Sequence, residues 1–286
     1  MPMPGGTPRL PRSAPDGYTW TCRNGGVSMK KTDGLWLLKI FDLAAFLGTV
    51  TVNVLANSLP IGGRTTGELS DLYPNLFVPA PVTFSIWGLI YLLLGIFVVY
   101  QIAAPAGSRI VSKAGLPFLL ASAANMSWIF LWHHQRVAAS LLAMVVLLGS
   151  LLTIYVRLDI GRKVSSWSEK LLAQLPFSVY LGWITVATIA NLTVVLVYTG
   201  WNRFGLSEQA WTVIVLVIAA LIALALLFRR NDVFFALVIL WAFLGILIKR
   251  LAVDQPPSRA VITTLWVCMA VVGAGLLLRI PRWLRS

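Results

Sequence analysis

The sequence predicts an all-α membrane protein, a polytopic bundle of eight spans with both termini in the cytoplasm. Three observations carry that expectation. Of 286 residues, 58% are hydrophobic and only 12% are charged, about half the charged share of a soluble domain. Mean hydropathy is +0.82. The apolar residues gather in runs long enough for a helix to cross about 30 Å of hydrocarbon, and the Lys and Arg residues fall in the short segments between those runs.

The stretch Phe77–Gln101, FVPAPVTFSIWGLIYLLLGIFVVYQ, shows the pattern most fully. Pro79 and Pro81 stand at its entry, where a helix loses nothing by lacking an N–H. About twenty apolar residues follow without a formal charge. Within them Trp87, Tyr91 and Gly95 fall at i, i+4 and i+8, so an indole, a phenol and a gap share one face.

Taken in order, residues 1–34 form a basic tail rich in Pro, Gly, Ser and Arg, which reads as disordered. It lacks the apolar core of a signal peptide. Met29-Lys30-Lys31 resembles a start of its own, which would make residues 1–28 an upstream extension. The expected spans are Leu35–Asn57, Val82–Ala103, Leu116–Trp132, Val137–Val156, Leu172–Tyr198, Trp211–Phe228, Val233–Ile248 and Ala260–Leu278. Lys39 and Asp42 lie near the cytoplasmic end of the first. Gly62-Gly63 and Tyr73-Pro74 mark turns in the polar loop after it. His133-His134-Gln135-Arg136 makes a tight turn between the third and fourth spans.

Charge sets the orientation. Seventeen Lys and Arg fall on the side of the termini and six on the other, which places the termini in the cytoplasm. The loop Lys249–Arg259 is discordant, so the last hairpin is the weakest part of this scheme. A net charge of +13 would suggest nucleic acid only if it lay on one soluble face. Dispersed among headgroup loops, it points to the bilayer as partner and to no nucleic acid.

Several function classes lose support. The centres of all eight runs lack Asp, Glu, Lys, Arg and His, which counts against a proton-coupled carrier. There is no nucleotide loop, metal-ligand spacing or nucleophile motif, so neither a catalytic residue nor a metal is expected. The two histidines are adjacent and point about 100° apart on a helix, which suits interfacial turn residues better than a chelating pair. Cys22 and Cys268 should lie at different depths and form no disulfide framework.

Polar and aromatic residues align on three spans. Asn125, Trp128 and Trp132 follow a 3-4 spacing. Tyr180, Trp183, Ala187 and Asn191 are spaced 3-4-4, which confines them to an arc of roughly 80°. Asn53, Asn57, Asn125 and Asn191 are expected to bond to neighbouring helices, since an unpaired amide in hydrocarbon costs several kcal/mol. Trp36, Trp167, Trp201, Trp211 and Trp283 sit at span ends and fit an interfacial belt. Trp87, Trp128 and Trp183 lie deeper, and such flat rings with a few amides could take a large, flat, apolar ligand.

These residues resemble a known family. Trp87-x-x-Ile90-Tyr91-x-x-Leu94-Gly95 resembles the W-x-x-L-Y-x-x-M-G stretch in the second helix of the translocator protein/tryptophan-rich sensory protein family (TspO/MBR). Pro79 and Pro81, split by Ala80 and preceded by Phe77, look like its W-x-P-P entry. Asn125-x-x-Trp128 is similar to its third-helix N-x-x-W, and Tyr180-x-x-Trp183-x-x-x-Ala187-x-x-x-Asn191 to its fifth-helix pattern.

The resemblance covers about residues 35–200 and implies a five-helix membrane bundle. It leaves 201–286 as a three-helix membrane extension without counterpart in the five-helix members. It also implies non-covalent binding of a tetrapyrrole such as protoporphyrin or haem, or of a sterol, with no covalent cofactor. By the motif match, the ligand-binding residues are Trp87, Tyr91, Asn125, Trp128, Tyr180, Trp183 and Asn191. A homodimer is a further expectation, and in a prokaryote the membrane would be the plasma membrane. Two other functions stay open. One is an eight-helix carrier or channel for a small neutral solute. The other is an enzyme acting on a tetrapyrrole through radical chemistry at Trp87, Trp128 and Trp183.

Overall fold

The computed structural model describes residues 18–23, 26–31, 33–59, 61–104, 107–162, 165–253 and 258–285. Among them, eight helices are long and apolar enough to cross a membrane. The bundle predicted from composition is therefore present, and most of its helices run past the expected ends.

Within the segment expected to be a disordered tail, β1 (Tyr18–Arg23) pairs antiparallel with β2 (Gly26–Lys31). The register joins Arg23 to Gly26 and leaves Asn24-Gly25 between the strands, a dipeptide that two-residue hairpin loops favour. The tail reading overlooked that signal. Residues 1–17, and most of the suggested upstream extension with them, lie outside the described residues.

The first span is α1 (Asp33–Ser58). In the loop after it a one-turn 3-10 helix at Ile61–Gly63 precedes α2 (Thr66–Asp71). A capping box starts α2: Thr65 accepts from the Glu68 N–H, and the Glu68 carboxylate accepts from the Thr65 N–H at 2.7 Å. Then Asn75 turns the chain, its Oδ1 accepting from the Phe77 and Val78 N–H groups at 3.0 and 3.1 Å. The prolines follow, and Pro81–Ser85 forms a 3-10 turn that leads into α3 (Ile86–Ala103).

Three more helices complete the first five spans. They are α4 (Gly107–His133), α5 (Val137–Arg157) and α7 (Leu175–Tyr198). Before α7 come the single turn α6 (Trp167–Glu169) and a π-helical stretch, Lys170–Gln174. In this unit α4 packs on α1, α3 and α5, while α7 packs on α3 and α5.

The remaining spans are α8 (Glu208–Arg230), α9 (Val233–Val253) and α10 (Arg259–Arg285). Ser207 caps α8 by accepting from the Ala210 N–H. Asn231, at φ 56°, ends it in the left-handed region that Asn tolerates. The extension docks through α9, the most buried of the eight spans, which packs on α7 while α8 and α10 flank it.

Close contacts tie α9 to the proline corner. Ala80 N–H donates to the Gly245 carbonyl at 2.9 Å, and the Trp241 indole donates to the Thr83 carbonyl at 3.0 Å. Gly245 permits this approach, because a methyl there would overlap the Thr83 side chain. Glu208 accepts from the Leu76 N–H at 3.0 Å, and Lys249 pairs with Asp71. One of the discordant cations of the last hairpin, Lys249, thus has a carboxylate beside it.

Candidate functional site

Trp87 is the hub of the site. Its ring stacks on Tyr91, one turn along α3, with centroids 5.6 Å apart and planes 18° from parallel. From α4, Trp128 lies 6.3 Å away. From α7, Tyr180 and Trp183 meet the Trp87 ring edge-on at 5.9 and 6.2 Å, the geometry that aromatic quadrupoles favour. The i, i+3 and i+4 spacings therefore converge as the sequence predicted, with three helices supplying five rings. Trp132 extends the stack from Trp128 at 6.1 Å.

Beneath the rings the amides form a network. Asn53 of α1 donates to Asn125 Oδ1 at 2.7 Å, and Asn125 Nδ2 donates to the Tyr180 hydroxyl at 3.1 Å. The Trp128 indole donates to Asn191 Oδ1 at 3.2 Å, while Asn191 Nδ2 donates to Ser140 of α5 at 3.1 Å. Asn125 and Asn191 are buried, so each bond replaces a contact that lipid cannot offer. The seven predicted residues thus form one connected group. Asn57 differs from expectation: its amide returns to the Asn53 carbonyl of its own helix at 2.9 Å.

Sequence reasoning assigned Asn53 a packing role and passed over Ser140. Both complete the network, and no spacing rule links them to Asn125 and Asn191, from which they stand 72 and 51 residues away. Phe84 was also missed. It meets Trp183 edge-on at 5.8 Å and sits in the 3-10 turn after the prolines.

A cavity of about 510 Å³, its open mouth included, borders the rings and is lined by Pro79, Phe84, Trp87, Trp128, Trp132 and Trp183 among others. Most of that is open mouth: the enclosed space is about 40 Å³, well below the roughly 300–1,000 Å³ of small-molecule sites. Two polar atoms stand without partners at this cluster, the Trp183 Nε1 and the Tyr91 hydroxyl, both buried. The rings themselves are in mutual contact. A flat guest sandwiched between two of them would need about 7 Å between their planes, twice the contact distance of carbon atoms, so insertion requires α3 to move from α4 and α7. The gap at Gly95 is occupied, since the Phe46 ring of α1 stands 3.1 Å from where a side chain would begin.

The loop between α1 and α3 closes over this end. Trp132 donates to the Thr66 carbonyl at 3.2 Å, and His133 Nδ1 lies 3.0 Å from the Ile61 carbonyl. His133 is buried and His134 is exposed beside the Phe130 carbonyl. The pair behaves as turn residues, and no cluster of three metal-ligating side chains occurs among the described residues.

A family profile described as TSPO-like protein matches residues 39–278. The chain belongs to the TSPO-like family. The match runs through α8, α9 and α10, well beyond the stretch up to about residue 200 that carried the sequence motifs. Neither the curated proteins nor the solved structures give a match. As a TSPO-like protein with eight apolar helices, it is a multi-pass integral membrane protein.

Proposed function

We propose that this protein binds a flat, apolar small molecule, a tetrapyrrole or sterol-like compound, at the Trp87 cluster and holds it without a covalent bond. The observation that carries this reading is the convergence of Trp87, Tyr91, Trp128, Tyr180 and Trp183 from three helices on one point. A bundle held together by lipid-like packing alone has no need to collect five large rings and leave two of their polar atoms unpaired. Flat ligands gain offset-stacked and edge-on contacts from such rings. The Trp183 indole N–H and the Tyr91 hydroxyl supply donors to a ring nitrogen, carboxylate or hydroxyl of the guest.

Asn125 and Asn191 act at one remove in this reading, fixing Tyr180 and Trp128 so that the aromatic walls keep their pitch. Sensing or transport would follow from the opening of α3 that admits the ligand, with the proline corner as hinge. The test is a titration of the purified protein with protoporphyrin, read by tryptophan fluorescence. Saturable quenching is expected. Solute flux in proteoliposomes without porphyrin binding would favour a carrier, and a defined product from porphyrin under light would favour an enzyme.

A further inference from the structure

Away from the aromatic cluster, near the other end of the bundle, two polar side chains are fully buried with no hydrogen bond. Asp42 of α1 and Gln101 of α3 are both wholly inaccessible. Neither carboxyl oxygen of Asp42 has a partner, and neither does the amide oxygen or nitrogen of Gln101. The two lie beside each other, within reach but not in hydrogen-bond geometry. From the third side α4 presses in with Gly115, where a methyl group would stand 3.2 Å from Asp42 Oδ2 and 2.7 Å from Leu38.

Counting donors and acceptors decides what this pair needs. An ionised Asp42 offers two acceptor oxygens, and Gln101 adds a third; the only donors are the two hydrogens of one amide. The set is short of a donor. The charged residues on the packed helices do not supply it. Lys39 of α1 and Arg109 and Lys113 of α4 make no hydrogen bond to the carboxyl oxygens, and Arg109 is engaged by Glu169 at 2.6 Å. Tyr100, next to Gln101, does not reach them either.

We propose that Asp42 and Gln101 form a proton-holding site inside the membrane bundle. One proton on the carboxyl meets the shortage: Asp42 O–H donates to Gln101 Oε1, Gln101 Nε2 donates to the other Asp42 oxygen, and a cyclic acid–amide pair joins α1 to α3. Such a pair buries no net charge, and in hydrocarbon it satisfies the groups that burial leaves bare.

Infrared spectroscopy of the protein in nanodiscs tests this at neutral pH, where an exposed Asp, with its pKa of about 3.9, is ionised. The expected result is a carboxylic acid C=O band that shifts on deuteration and is lost in Asp42→Asn. That variant pairs amide with amide, so it keeps the wild-type thermal midpoint and separates a lost proton from a lost fold. In Gln101→Leu the band should move to higher frequency, because its hydrogen bond is gone. Absence of an Asp42-dependent acid band, as an ionised carboxylate held by water would give, overturns the proposal. A band that Gln101→Leu leaves in place overturns the pairing.

Discussion

Asn125 carries two inter-helix bonds with one side chain, accepting from Asn53 and donating to Tyr180. Its spacing from Trp128 was legible in the sequence, and so was its need for partners. The identity of those partners was not, because they come from helices 72 and 55 residues away. Replacing it by Leu leaves the Asn53 amide with its Thr49 carbonyl bond alone and the Tyr180 hydroxyl without a donor, and should destabilise the protein by about 1–2 kcal/mol, measured by unfolding in mixed micelles. Trp183 gives the opposite expectation. Its Nε1 is unpartnered, so Trp183→Phe should leave stability within about 1 kcal/mol. If that N–H serves the ligand, the same change weakens porphyrin binding by about 10-fold, or 1.4 kcal/mol.

Asp232 makes a third residue-scale prediction. It lies in the turn between α8 and α9, buried, accepting from Tyr155 and Ser178 at 2.8 and 2.9 Å and capping α9 through the Phe235 N–H at 3.1 Å. Burial raises its carboxyl above the ordinary range, although these hydrogen bonds pull the other way. A raised folded-state value favours the neutral form. The stabilisation is therefore complete in acid and is lost as pH rises through that value. Relative to Asp232→Asn, the wild type should lose stability over that rise; a flat difference across the pH series would contradict it. Nothing in the sequence marks Asp232, and only the fold brings Tyr155 and Ser178 to it.

Among the elements, the proline corner and α9 form one joint. The sequence marked the corner through Pro79, Pro81 and the aromatic run behind them. It gave no sign that Gly245, one of 22 glycines, is where α9 closes on Thr83. Gly245→Val forces those backbones apart, with an expected loss of about 1–3 kcal/mol and faster proteolysis between residues 71 and 85. Helix ends were read short for a related reason. Pro117 and the charged residues of α4 look like a boundary, yet the helix runs from Gly107 to His133 because its first turns are buried against neighbours. The capping box of α2 and the Asn-Gly of the hairpin were visible signals that went unread.

For the whole molecule, hydropathy was sufficient to predict eight spans, since each must satisfy its backbone within itself. Placing the last three against the first five needed side-chain detail. The extension is no separate appendage: α8 and α9 reach the loop over the aromatic cluster through Glu208, Gly245, Trp241 and Lys249, and the family match includes it. The structure joins the aromatic cluster and the extension through these contacts.

The most direct test of this account is the fluorescence titration of the detergent-purified protein with protoporphyrin, run beside Trp183→Phe, Asn125→Ala and, as control, Trp266→Phe on the exposed face of α10. Saturable quenching in the wild type, retained in Trp266→Phe and weakened in the other two, is the predicted result. Quenching that is absent, or equal in all four proteins, would contradict binding at the Trp87 cluster.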